Sequence, residues 1–189
     1  MKQPTRTLKP RTVFVNPLYR DKATVLKTGA DTNGQYALGE LEIAPGGGNK
    51  SHYHRSYIET FIAVKGILGV VYDKRKLYLK PGESVTVPVN TPHYFFNDTN
   101  ETVVCHIKLS PGDDGFVKGI AIGYGLASDG RTNKKGVPKN LSHLGLILLL
   151  MDTRIVGPLS LLNPLLLWLG KRARKNGMEK QLLEKYYYQ

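Results

Sequence analysis

Three of the chain's five histidines fall in one pattern with a glutamate set between them. His52 and His54 stand two apart, Glu59 follows after four intervening residues, and His93 comes later in the run TPHYFFN. On a β-strand, residues two apart project to the same face, so His52 and His54 can reach a common point. Imidazole nitrogens suit Fe, Mn, Ni, Cu or Zn, and one carboxylate hardens the donor set and adds negative charge. Any one of these histidines alone reads as an ordinary surface or core residue. Together, His52, His54, Glu59 and His93 read as ligands to one divalent transition-metal ion.

Such ligands need rigid elements to hold them. Short alternating or β-branched segments recur through QYALGELEI (35–43), ETFIAV (59–64), LGVVYD (68–73), KLYL (76–79), SVTVP (84–88), HYFFN (93–97) and TVVCHIKL (102–109). Turn clusters separate them: APGGGNK, KG, KPGE, VNTP and NDTNE. Many short strands at this spacing indicate an antiparallel sandwich or barrel. Glu59 opens one strand segment and His93 another, so they can converge from different parts of a closed sheet. The residues before the motif read as further strands of the same barrel.

The bracketing residues extend the pattern. Gly46, His52, His54, Glu59 and Gly66 form one block; Gly82, Pro88, His93 and Asn97 form a second. These two blocks resemble the paired signatures of the cupin superfamily, the first at every position. The second departs at Asn90, where that family usually has glycine; asparagine tolerates the left-handed backbone that a glycine permits. The resemblance implies a cupin-type antiparallel β-barrel, a jelly roll, in which three histidines and one glutamate hold a five- or six-coordinate metal with one or two positions open. In quercetin dioxygenase-like cupins the equivalent glutamate both ligates and takes a proton from substrate, a role that would fall here on Glu59; plain ligation is the simpler expectation.

Phe61 and Phe95 lie two places beyond Glu59 and His93, so they share those strand faces and can wall a pocket. Cys105 and His106 alternate on the last strand, and parity leaves open which of them faces inward. With one cysteine the chain has no internal disulfide framework. His143 stands apart in the tail.

After Pro111 the texture changes. A short helical stretch follows, with Asp113 or Asp114 placed to cap it, then a turn-rich loop. Residues 141–185 read as helical. The expected organisation is a mainly β barrel over 1–112 and a mostly helical extension over 113–189.

The net charge of +12 sits on the chain's ends: residues 1–27 carry +6, residues 171–189 carry +4, and the body between them +2. No helix-turn-helix or RNA-binding signature accompanies it, so nucleic acid is not an expected partner. The N-terminal residues hold no apolar stretch of signal-peptide length, and a cytoplasmic location is expected. In the tail, IVGPLSLLNPLLLWLG (155–170) is uncharged and KRARK follows at once. Packing on the barrel or across a homodimer interface is the favoured reading of these leucines; peripheral membrane contact is the less favoured one. A small-molecule substrate at an open metal site favours an oxygenase. A metal-dependent isomerase or epimerase of a sugar or keto acid, or a small-molecule binder without turnover, are the alternatives.

Overall fold

A computed structural model describes residues 10–188; the first nine residues assigned to the barrel segment, and Gln189, lie outside the described residues. Ten strands come first: β1 (Val13–Asn16), β2 (Asp21–Lys27), β3 (Ala37–Ile43), β4 (His52–His54), β5 (Ile58–Lys65), β6 (Leu68–Tyr72), β7 (Arg75–Leu79), β8 (Ser84–Val87), β9 (His93–Phe96) and β10 (Val103–Ser110). The helices α1 (Asp114–Ser128) and α2 (Leu141–Leu150) follow. A short strand β11 (Thr153–Ile155), a 3-10 helix at Pro158–Leu162, α3 (Asn163–Lys175) and α4 (Met178–Tyr186) complete the chain.

The strands form two antiparallel sheets. One runs β1-β2-β3-β10-β5-β8 and the other β11-β4-β9-β6-β7. From β3 to β10 the chain passes repeatedly between the two sheets, which is the jelly-roll arrangement expected from the motif. Period-two alternation sets the faces. Along β5, Glu59, Phe61 and Ala63 are buried while Ile58 is exposed. The barrel core gathers Ile43, Phe61, Leu68, Val70, Val103 and Cys105, all essentially solvent-free. Burial of each such aliphatic side chain contributes roughly 1.5–3 kcal/mol. Asn90 has φ +60°, the left-handed conformation anticipated from its place in the motif.

The helices build a second core. Ile122 and Leu126 of α1 pack with Leu146 and Leu150 of α2, Ala173 of α3 and Leu183 of α4. Asp113 caps α1 by accepting from the Gly115 N–H, and Asn140 caps α2 by accepting from the N–H groups of Ser142 and His143. Helix α2 (LSHLGLILLL) is apolar on nearly every side, as a helix covered by neighbours should be. It meets α3 at Gly145 and Gly170, where a Cβ on either residue would run into the other helix's backbone.

Two details differ from the sequence-based expectation. The stretch after Pro111 is a full helix of 15 residues rather than a short one, because its apolar residues pack on α2 and α4. Residues 141–185 are also not continuously helical: Asp152 turns the chain at φ +43°, and β11 joins the edge of the second sheet beside β4. Thr and Ile in β11 suit a pleated edge, and the unpaired rim of β4 supplies the ladder that the tail alone lacks. The run LGLILLLM is largely buried, in a core shared by the helices and Phe14 of β1. Part of IVGPLSLLNPLLLWLG is not: Leu159, Leu161, Leu162, Leu165 and Trp168 are exposed. Among the described residues, no helix is long and apolar enough to cross a membrane.

Candidate metal centre

The four sequence-identified donors meet at one point inside the barrel. Strand β4 carries His52 and His54, β5 carries Glu59, and β9 carries His93, which lies directly opposite His52 in the ladder. One donor atom from each lies within 4.8 Å of the others. His54, Glu59 and His93 are buried, and His52 is partly buried.

The hydrogen bonds around the rings decide which nitrogens are free. His52 Nδ1 lies 2.7 Å from the Lys50 carbonyl, and His93 Nδ1 lies 2.8 Å from the Thr91 carbonyl. Both Nδ1 atoms must therefore carry a proton and donate. Tyr57 Oη donates to the Met151 carbonyl at 2.6 Å, so at 2.8 Å it accepts from His54 Nδ1. All three Nε2 atoms then point into the cluster.

Between His52 and His54 this leaves two imidazole lone pairs facing each other, with Nε2 atoms 3.1 Å apart. Two acceptors at that distance repel unless a cation lies between or beside them. Glu59 Oε2 completes the set, 2.7 Å from His93 Nε2 and 3.5 Å from His54 Nε2. Burial alone would raise the Glu59 pKa, but the bonds from His54 and His93 hold it well below the usual carboxylate range. Burial, with His54 and His93 close by, pushes His52 down to about 3, so that it stays a neutral imidazole. Burial opposes the charged form of His93, but the Glu59 hydrogen bond outweighs it and raises that pKa. A proton on His93 Nε2 thus sits where a metal ion would replace it; three imidazole nitrogens, one ionised oxygen and far-side nitrogens held by hydrogen bonds are what a transition-metal ion requires. The residues present fit such an ion.

Phe61 and Phe95 are buried beside the cluster, with the Phe61 ring 6.1 Å from both the His93 and the Phe95 rings. Cys105 faces the interior and is fully buried, and burial pushes its thiol far up, making it a small hydrophobe. His106 points the other way and meets Glu40 at 3.3 Å. His143 is buried at the start of α2, away from the cluster.

The sequence reading did not identify the residues that orient His54. Tyr57 and the Met151 carbonyl fix its ring, and Thr153 pairs with it across β11 and β4. Asp152 Oδ2 accepts from the N–H groups of both Arg55 and Ser56, each at 2.8 Å. It thereby holds the turn between His54 and Glu59. Tyr57 was detectable in principle, standing two residues before Glu59; nothing local to residues 151–153 marks them as neighbours of a metal site.

Residues 39–110 match the cupin domain family. That segment runs from β3 to β10, so the cupin match contains all four donors. Over 82 residues the sequence is 32% identical to quercetin 2,3-dioxygenase of Bacillus subtilis (strain 168), a match covering 43% of this chain and 24% of that protein. The chain thus spans about a quarter of that relative's length. Among solved structures, KdgF from Halomonas sp. is similar at a TM-score of 0.48 and 16% identity, over 53% of this chain and 87% of that one. An RmlC-like cupin from Shewanella frigidimarina is similar at 0.48 and 20%, over 56% and 89%. The polyketide cyclase RemF from Streptomyces resistomycificus is similar at 0.45 and 23%, over 58% and 79%.

Proposed function

We propose that His52, His54, Glu59 and His93 bind one divalent transition-metal ion, and that the protein is a metal-dependent oxygenase acting on a small organic substrate. The observation that carries the metal assignment is the unfavourable approach of the His52 and His54 lone pairs, which a shared cation relieves. Support for the oxygenase class comes from the similarity to quercetin 2,3-dioxygenase in sequence.

A metal held by these four donors would supply Lewis acidity and redox chemistry at the site. The chain's own residues do the rest. Lys50, Thr91 and Met151 carbonyls, with Tyr57 Oη, keep every Nε2 turned inward. Phe61 and Phe95 give the interior an apolar wall that excludes water and suits an aromatic or enolised ligand. Glu59 would supply the ligand charge, and ligation is the role this reading gives it ahead of proton transfer.

The test is metal analysis of protein purified without added metal, followed by oxygen consumption with a panel of diketones and flavonols. Iron, manganese, nickel or copper, with oxygen uptake on at least one compound, is the expected result. Zinc without uptake would overturn the oxygenase reading and leave an isomerase or a binder. Absence of any transition metal would overturn the metal reading itself.

A further inference from the structure

Helix α3 has two unlike faces. Leu166, Gly170 and Ala173 are buried against the helical core, at the spacing of one helix face. Leu165, Trp168 and Arg172 repeat on the opposite face and are exposed. Just before them, the 3-10 helix adds Leu159 at 61% exposure and Leu161 at 86%. Four large apolar side chains thus share one surface, where scattered single ones would need no explanation.

The patch is braced. The Asn163 side chain accepts from the Ile155 N–H at 3.0 Å and donates to the Ile155 carbonyl at 2.9 Å. This closes the loop that presents Leu159 and Leu161 and ties it to β11. The close contact of Gly145 with Gly170 fixes the other side of α3.

Charge identifies the occupant. From Thr153 to Met178 the chain contains no Asp or Glu, while Arg154, Lys171, Arg172, Arg174 and Lys175 all fall there. Arg154 and Arg174 are paired with Asp152 and Glu179, which leaves Lys171, Arg172 and Lys175 at the rim of the apolar surface. The Arg172 guanidinium lies over the Trp168 ring, 5.7 Å from its centre. A second copy of this chain would have to bring the same patch to itself, setting cations against cations with no acid to answer them. An anionic lipid surface answers both features: acyl chains take the leucines, headgroups take the cations, and Trp168 sits between. With 13 residues, α3 extends about 20 Å, short of the ~30 Å hydrocarbon core, so it would lie in the interface.

We infer that the surface formed by Leu159, Leu161, Leu165, Trp168, Lys171 and Arg172 docks the protein onto anionic membranes, and that packing covers only the inner half of this tail. The test is flotation of the full chain with vesicles of phosphatidylcholine alone, and of phosphatidylcholine with an equal part of phosphatidylglycerol. Trp168 is the chain's only tryptophan, so its emission reports directly on the patch. Binding to the anionic vesicles with a blue shift, and weak binding to the neutral ones, is expected. Combining Lys171→Gln, Arg172→Gln and Lys175→Gln should weaken binding by about a hundredfold. Leu161→Asn should weaken it by roughly tenfold. All four positions are exposed, and circular dichroism checks that each variant folds. The inference is overturned by any of three results: no binding to anionic vesicles, binding that these variants leave unchanged, or a wild-type dimer in sedimentation that Leu161→Asn splits.

Discussion

The barrel segment from Gly46 to Asn97 and the tail from Leu141 to Lys175 both shape the cluster of three histidines and Glu59, by opposite routes. In the barrel the control is local: His52 leans on the Lys50 carbonyl and His93 on the Thr91 carbonyl, each two residues back. In the tail it is remote. The Met151 carbonyl reaches His54 Nδ1 from 97 positions away, at 3.2 Å, and Asp152 secures the turn after His54. The difference separates two properties of a site. Which atoms can ligate is set within short motifs; how firmly they are aimed depends on a segment that carries none of the four donors.

The largest expected effect lies on the ligand side of this comparison. Replacing His52, His54 or His93 by Ala deletes one of four donors and should remove most bound metal, as elemental analysis would show. Glu59→Gln should keep part of it at lower affinity, since it removes the only ligand charge. If the triple histidine variant holds as much metal as the wild type, the cluster is not the site.

A second effect tests the seam between barrel and helices. Asp21 of β2 accepts from Tyr124 Oη of α1 at 2.9 Å, while its other oxygen is buried without a partner. Burial raises its pKa to about 7, with the Tyr124 bond acting against that rise. The folded protein therefore holds a proton that the unfolded chain has already released between about pH 4 and 7. Stability from this group is present below that window and is lost as pH rises through it, by up to roughly 4 kcal/mol. Asp21→Asn should flatten this part of the profile. Denaturant melts of both proteins at pH 5 and pH 8 check it, and equal differences at the two pH values would refute the assignment.

The third effect bears on the tail's remote control. Asp152→Ala removes two hydrogen bonds to the His54–Glu59 turn and leaves all four ligands in place. Metal affinity should fall by roughly 10- to 100-fold, the usual cost of losing an orienting partner. A metal titration reads this directly. Unchanged affinity would mean that the barrel aims its ligands without help, and the contrast between the two regions would collapse.

How much of this was legible before the structure follows from the same contrast. The strands from Ala37 to Ser110, the inward set Glu59, Phe61, His93 and Phe95, and the helix cap at Asp113 or Asp114 all show as patterns within a few residues, because period-two alternation and capping are local physics. Strand β11 did not show. Three residues, Thr-Arg-Ile, carry too little periodicity to stand out between two leucine-rich runs, and their strand state depends on the free edge of β4. The facing of Cys105 needed the register of β10 against β5, which alternation alone leaves ambiguous. Within 155–170, periodicity broken by Pro158 and Pro164 does not separate the leucines. Only the packing of α3 on α2 divides them into buried and exposed sets.

The smallest expected effect probes the one position where the barrel departs from the cupin pattern. Asn90 adopts φ +60°, and its N–H donates to the His54 carbonyl at 2.7 Å. Asn90→Gly keeps that N–H and relieves a mild steric cost, but it also gives the unfolded chain more freedom. The two terms oppose each other, at about 0.5–1 kcal/mol each. Stability should therefore move by less than about 0.5 kcal/mol, with metal content unchanged. Asn90→Val, by contrast, forces a β-branched residue into the left-handed region and should cost about 1–2 kcal/mol. Denaturant midpoints and metal analysis of the two variants decide the point. If Asn90→Gly loses metal, the asparagine side chain itself supports the site. The local half of the comparison would then hold a contribution that backbone conformation alone does not explain.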